Sequence, residues 1–141
     1  MNMLAKAIKI ASIVHLNQLD KSGNPYILHP LWVMDRVRHL GEDYMIVAVL
    51  HDVVEDSDWT IHNLIVEGFN SDICIALSLL NHSPDISYDD YIKRLSTNPI
   101  AKEIKLRDLE HNSKITRLKG LRKKDFDRLE KYHKAYIYLK N

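Results

Sequence analysis

One cysteine, Cys74, is all that this 141-residue sequence contains, so no disulfide can close within the chain and no cysteine-based zinc motif can be built. Glycine and proline are scarce at four each, which argues against a turn-rich β protein and favours long helices. No stretch approaches the roughly 18 uncharged apolar residues of a membrane span. Lys6 and Lys9 interrupt the N-terminal segment, so it is expected to start a helix and not to act as a signal peptide. A phosphate-cradling glycine loop and a Gly-x-Ser-x-Gly nucleophile elbow are both missing. No repeat, linker or low-complexity tract divides the chain, so residues 1–141 are expected to form one domain, with a cytoplasmic location as the default.

Charge of one sign is not in excess overall, with 20 basic and 19 acidic residues. The balance is uneven along the chain: residues 1–100 hold 7 basic against 13 acidic residues, and residues 101–141 hold 13 against 6. A basic end of this kind marks either an anion partner or the solvated face of an amphipathic helix pair, and the second reading is preferred. A nucleic-acid partner is therefore not expected.

Apolar residues make up 45% of the chain and recur mostly at helical spacing. Leu4, Ala7, Ile8, Ala11 and His15 predict a helix over 3–18. The run Asp20-Lys21-Ser22-Gly23-Asn24-Pro25 predicts a loop. A second helix is expected from about Tyr26 to Leu40, stopped by Gly41. Residues 44–54 are apolar almost all round and predict a central buried helix. Thr60 and Ser71 are expected to cap helices near 61–68 and 72–81. After a loop at 82–87, further helices are predicted at 88–95, from Pro99 to about Asn112, and over 124–139. The last should dock through Phe126, Leu129, Tyr132 and Tyr136. The expected fold is an all-α, single-domain helical bundle.

His51-Asp52 closes the most apolar of these helices. A buried carboxylate costs several kcal/mol unless it is paired or coordinates a cation. Glu55 and Asp56 follow at three and four residues, on the same helical side as Asp52. Three carboxylates and an imidazole within six residues call for a positive centre, which a divalent cation provides. His29, after the loop, offers a second imidazole, and Asp108, flanked by apolar partners at helical spacing, offers a second oxygen. Two nitrogens with two carboxylates suit Mn²⁺, Fe²⁺ or Zn²⁺. Among the other histidines, His15 and His111 are expected to be packed or hydrogen-bonded, and His39, His62, His82 and His133 to face solvent. Tyr88 and Tyr91 are expected in the core or at its rim.

Three blocks carry a resemblance: Lys21-Ser22-Gly23-Asn24-Pro25-Tyr26-Ile27-Leu28-His29-Pro30, Leu50-His51-Asp52-Val53-Val54-Glu55-Asp56-Ser57 and Lys105-Leu106-Arg107-Asp108-Leu109-Glu110-His111-Asn112. In this order they resemble the HD superfamily, and within it the hydrolase domain of RelA/SpoT-type alarmone enzymes and their small stand-alone relatives. The resemblance implies that His29, His51, Asp52 and Asp108 bind one divalent metal ion, with Mn²⁺ as first choice. It also implies that Glu55 and Asp56 position and deprotonate the attacking water, and that Lys21, Ser22 and Asn112 approach a nucleotide. Lys105, Arg107 and Lys114 are the further cations at hand for phosphate oxygens. The implied activity is (p)ppGpp 3′-pyrophosphohydrolysis. Alternatives are an HD phosphatase for a nucleoside monophosphate, a dNTP or NADPH, and a non-catalytic nucleotide-binding protein or antitoxin. Two positions depart from the family pattern: Asp20 stands where a basic residue is usual, and Ile115 where a threonine is. Both bear on recognition of the base and leave the metal chemistry untouched.

Overall fold

A computed structural model describes residues 2–141, and every regular element among them is helical. In chain order these are α1 (Met3–Val14), α2 (Leu28–Arg36), α3 (Glu42–Leu50), α4 (Val53–Asp56), α5 (Ile61–Val66), α6 (Ser71–Leu80), α7 (Tyr88–Leu95), α8 (Pro99–Asn112) and α9 (Lys123–Lys140). Short 3₁₀ turns at Arg38–Leu40 and Ile115–Arg117 follow α2 and α8.

α3 is the hub. Ile46, Val47, Ala48, Val49 and Leu50 are all buried, and the helix packs against α1, α2, α6 and α8. A helix that is apolar all round has no face to offer to water, so its neighbours must enclose it. Each large side chain buried this way contributes about 1.5–3 kcal/mol. The buried residues of all the long helices form one hydrophobic cluster around it. Gly41 opens α3 at φ +110°, a conformation that a side chain would strain, so the 3₁₀ turn can be followed at once by a new helix direction.

Several element ends follow local chemistry. Asn2, Asn70, Ser87 and Asn98 each cap a helix by accepting a backbone N–H two or three residues into it. Thr60 and Asn63 form a reciprocal capping box at α5. The cap of α6 is therefore Asn70 and not Ser71, which already lies inside the helix. α2 starts two residues later than its periodicity suggests and gives way to the 3₁₀ turn before Leu40. The predicted helix over 44–54 is interrupted: α3 ends at Leu50, and His51 and Asp52 form the joint that redirects the chain into α4.

The terminal helix docks as expected, with Tyr132 and Tyr136 packed against the core, but Phe126 does not join them. Asp125, Ala135 and Leu139 are buried, whereas Phe126 is 56% exposed. The reason is polar: Asp125 turns inward to accept the Arg122 backbone N–H at 2.9 Å and the Arg128 guanidinium at 2.5 Å. A carboxylate in the first turn also meets the positive end of the helix dipole. Committing Asp125 to this corner turns Phe126 to the outside.

Candidate metal centre

Four side chains from three places in the chain converge beside α3. His29 stands in the first turn of α2, His51 and Asp52 in the α3–α4 joint, and Asp108 one turn before the end of α8. One ligand atom from each lies within 4.8 Å of all the others. Asp108 Oδ1 is 2.8 Å from His29 Nε2 and 3.3 Å from His51 Nε2, while Asp52 Oδ2 is 3.1 Å from His51 Nε2 and 3.8 Å from His29 Nε2. The joint at residues 51–52 makes this possible. Two successive residues on a continuous helix diverge by about 100°, whereas here both turn to the same point.

The surroundings hold each of these four side chains in place. The Nδ1–H of His51 donates to the Ala48 carbonyl at 2.6 Å, which leaves Nε2 aimed at the cluster. His29 Nδ1 meets His111 Nδ1 at 2.7 Å. Tyr26 donates its hydroxyl to Asp52 Oδ2 at 2.5 Å. Lys105 takes Asp108 Oδ2 at 2.9 Å, and the Asn112 amide donates to Oδ1 at 3.0 Å.

The charges behave as a cluster that seeks a cation. Burial alone would raise Asp52, but the neighbouring His51 imidazole outweighs it and leaves the carboxyl at about 2. For Asp108, burial is likewise overcome, here by Lys105 and the two imidazoles, and its carboxyl falls well below the usual range. Burial would lower His51, yet Asp52 and Asp108 hold its imidazole well above the usual value. Two carboxylates that favour a proton on His51 would equally favour a divalent cation between them, and metal binding releases such protons. Burial, with Arg117, His29 and Lys114 nearby, pushes His111 down to about 3. Two nitrogens and two carboxylate oxygens, each backed by its own hydrogen bond, fit a borderline or hard divalent ion.

A cavity of about 180 Å³ opens beside the cluster, with Glu55, His82, Tyr88, Lys105, Lys131 and Tyr132 in its wall. Desolvation raises the Glu55 carboxyl above its ordinary value, although its Oε1 accepts the His82 backbone N–H at 2.7 Å. Asp56 is turned toward the end of α1, where the Gln18 amide donates to its Oδ2 at 3.0 Å; desolvation raises this carboxyl too. A second cavity, of about 340 Å³, shares Asn112 and Tyr132 with the first and is lined by Lys21, Ser22, Lys114, Arg117 and Arg128. Its one carboxylate is Asp20. Burial and the nearby Arg128 lower the Lys21 amine. So Lys21 and Ser22 line the larger cavity, Lys105 the smaller, and Asn112 both.

The sequence reading missed part of this lining. Arg117, Arg128, Lys131 and Tyr132 come from the basic end of the chain, and the surplus charge there was the available signal. His82 is half-buried in the cavity wall instead of facing solvent, and donates Nε2–H to the Ile86 carbonyl at 2.7 Å. Arg107 is turned away and spent on Glu103 and Glu110. Asp20, the departure from the family pattern, organises its own loop: Oδ1 accepts the Ser22 and Asn24 N–H groups at 2.9 Å each, and Oδ2 pairs with Arg117 at 3.4 Å. A cation is thus delivered beside the loop from the far end of the chain. Ile115 is 48% exposed. Tyr91 is buried with its hydroxyl on the Leu80 carbonyl, and Tyr88 lies at the rim.

No protein-family model matches the chain. It is 30% identical over 128 residues to guanosine-3′,5′-bis(diphosphate) 3′-pyrophosphohydrolase MESH1 of Danio rerio, an alignment covering 76% of this chain and 69% of that protein. It is 39% identical over 66 residues to a probable GTP pyrophosphokinase of Mycobacterium leprae, covering 45% of this chain but only 8% of that much longer relative. Among solved structures, it superposes with a TM-score of 0.80 and 21% identity on a metazoan ortholog of SpoT described as hydrolyzing ppGpp, covering 99% of this chain and 85% of that one. At that identity the likeness speaks for the all-helical fold alone.

Proposed function

The chain belongs to the family of guanosine-3′,5′-bis(diphosphate) 3′-pyrophosphohydrolases, and on that footing we propose that it is an HD-type metal-dependent phosphohydrolase whose substrate is (p)ppGpp, cleaved at the 3′-pyrophosphate. The observation that carries this reading is the meeting of His29, His51, Asp52 and Asp108 at one cavity whose neighbour is lined by four cationic side chains. A nucleotide charged at both ends needs both features.

His29, His51, Asp52 and Asp108 would hold one divalent cation, with Mn²⁺ as first choice and Zn²⁺ or Fe²⁺ as alternatives. When bound, it neutralises phosphate charge and lowers the pKa of water. Glu55, on the cavity wall, accepts the proton of the attacking water; a carboxyl raised above its ordinary value is a better base for that step. Asp56, oriented by Gln18, completes the acidic pair. Lys105 and Asn112 hold Asp108 and reach toward the phosphate, and Lys21 and Ser22 face the nucleotide in the larger cavity. Cys74 is buried and unpaired, which suits a reducing cytoplasm, where nucleotide pools lie.

A second substrate reading rests on Asp20. Its carboxylate stands where the family pattern places a base-facing cation, so another nucleotide, such as a nucleoside monophosphate, a dNTP or NADPH, remains in competition on the same chemistry. Incubating Mn²⁺-loaded protein with ppGpp, NADPH and the dNTPs, and resolving the products by ion-exchange chromatography, decides between them. Pyrophosphate release from ppGpp supports the first reading. No turnover of any of these nucleotides, with metal bound, sinks both and leaves a nucleotide-binding protein or antitoxin.

A further inference from the structure

His111 stands outside the ligand set, yet it makes the closest contact with a ligand that does not involve a carboxylate or a main-chain group. Its Nδ1 lies 2.7 Å from His29 Nδ1, and both residues are buried, at 8% and 2% exposure. The rings are nearly coplanar, 9° apart, with centres 5.0 Å apart. Adding the radius of each imidazole to a 2.7 Å contact accounts for that separation, so the rings meet edge to edge and the hydrogen bond lies in both ring planes. A proton on one nitrogen then points straight at the lone pair of the other.

One proton serves this contact, and its owner decides what His29 can do. With the proton on His29 Nδ1, Nε2 presents a lone pair toward the point where Asp52 and Asp108 converge. With the proton on His111 Nδ1, a neutral His29 carries its own on Nε2, facing Asp108 Oδ1 at 2.8 Å, and has no lone pair for a metal. We propose that His111 is the positioning residue of the metal centre: it accepts the His29 Nδ1–H and so fixes the tautomer and ring plane in which His29 ligates. This rests on the reading of the four-residue cluster as a metal site.

The fold makes His111 a firm acceptor. It sits on α8, one turn beyond Asp108, so the helix that supplies the fourth ligand also supplies the partner of the first. Its ring stacks on Trp32 at 4.4 Å and 17°, and Trp32 lies one helical turn after His29 on α2. Arg117 Nη1 donates to the His111 carbonyl at 3.0 Å and ties down the end of α8. The ring therefore cannot swing away without breaking the stack on Trp32, and the backbone that carries it is fixed by Arg117.

The test compares metal affinity in three proteins: wild type, His111→Phe and His111→Asn, each stripped of metal and titrated with Mn²⁺ by calorimetry and by electron paramagnetic resonance of free Mn²⁺. Phe keeps the ring on Trp32 and removes the lone pair; Asn places a carbonyl oxygen where Nδ1 was. His111→Phe should bind Mn²⁺ about 10- to 100-fold more weakly, the usual effect of losing such a partner, and His111→Asn should regain most of it. Equal affinity in wild type and His111→Phe, or equal loss in both variants, overturns the assignment. If wild type binds no divalent ion at all, the metal-site reading fails first and takes this inference with it. A second measurement needs no variant. In the zinc-loaded wild type, nitrogen-15 NMR should show His29 Nδ1 protonated and His111 Nδ1 bare, with coupling across the bond; the reverse assignment overturns the proposal.

Discussion

Replacing Lys105 by methionine isolates the electrostatics of the site. Its ammonium lies 2.9 Å from Asp108 Oδ2, with the two side chains only 14% and 9% exposed. Gross attraction across that distance is about 6 kcal/mol at an effective dielectric constant of about 20, most of it offset by the desolvation of both ions. Methionine keeps the volume and strands the carboxylate. Breaking a buried pair from one side costs about 3–5 kcal/mol. The lower end applies here, because the imidazoles and Asn112 still hold Oδ1. A loss of about 3 kcal/mol is a large share of the roughly 5–15 kcal/mol of a typical domain and lowers Tm by roughly 10 °C. A metal ion on Oδ1 would neutralise the stranded charge. The loss in Lys105→Met should therefore shrink by at least about 1 kcal/mol when Mn²⁺ is saturating, on top of the ordinary stabilisation of any folded state by its ligand. Urea denaturation followed by circular dichroism, in EDTA and in excess Mn²⁺, measures both quantities. Equal losses in the two conditions, or a loss below about 1 kcal/mol in EDTA, would refute the reasoning.

Three further outcomes follow from the geometry. Glu55→Gln should lower kcat by about 100-fold or more while metal content, read by inductively coupled plasma mass spectrometry, stays at the wild-type level; a near-normal kcat would remove Glu55 from the proton transfer. Arg117→Ala should raise KM for the nucleotide with kcat nearly unchanged, since a cation in the outer cavity binds ground and transition states alike; an unchanged KM would place the nucleotide elsewhere. Asp125 is lowered from its ordinary 3.8 first by the Arg122 N–H and then by the Arg128 and Arg122 guanidiniums, against the opposing effect of desolvation. A depressed folded pKa contributes stability that is present above the unfolded value and lost as pH falls through the folded one. The stability gap between wild type and Asp125→Asn in urea should accordingly be widest near neutrality and start to narrow as pH falls through about 3.8; a gap that stays constant on acidification contradicts the pairing.

How much of this was legible beforehand varies element by element. α7 and α8 begin where Ser87 and Asn98-Pro99 say they should, because capping is a contest among near neighbours in the chain. Asn70 displaced Ser71 as a cap by one residue, a choice between two adequate side chains that depends on where α6 packs. The break after Leu50 coincides with the polar pair His51-Asp52, but residue type alone does not report that the chain changes direction there. The break lets both side chains face the same point. Phe126 misled for a similar reason, since spacing cannot report that a carboxylate one residue earlier has an inward partner.

The sequence alone determined the helical class and the buried character of α3, and it pointed to four candidate side chains that the structure brings together, because apolar periodicity and donor chemistry are carried by residue type and local order. Only the tertiary structure decided that His111 backs His29 across 82 positions, that Arg117 answers Asp20 across 97, and that α9 brings Arg128, Lys131 and Tyr132 to the cavities. Those pairings depend on how helices cross. Crossing is set by the summed packing of many side chains, which no local stretch of the chain records.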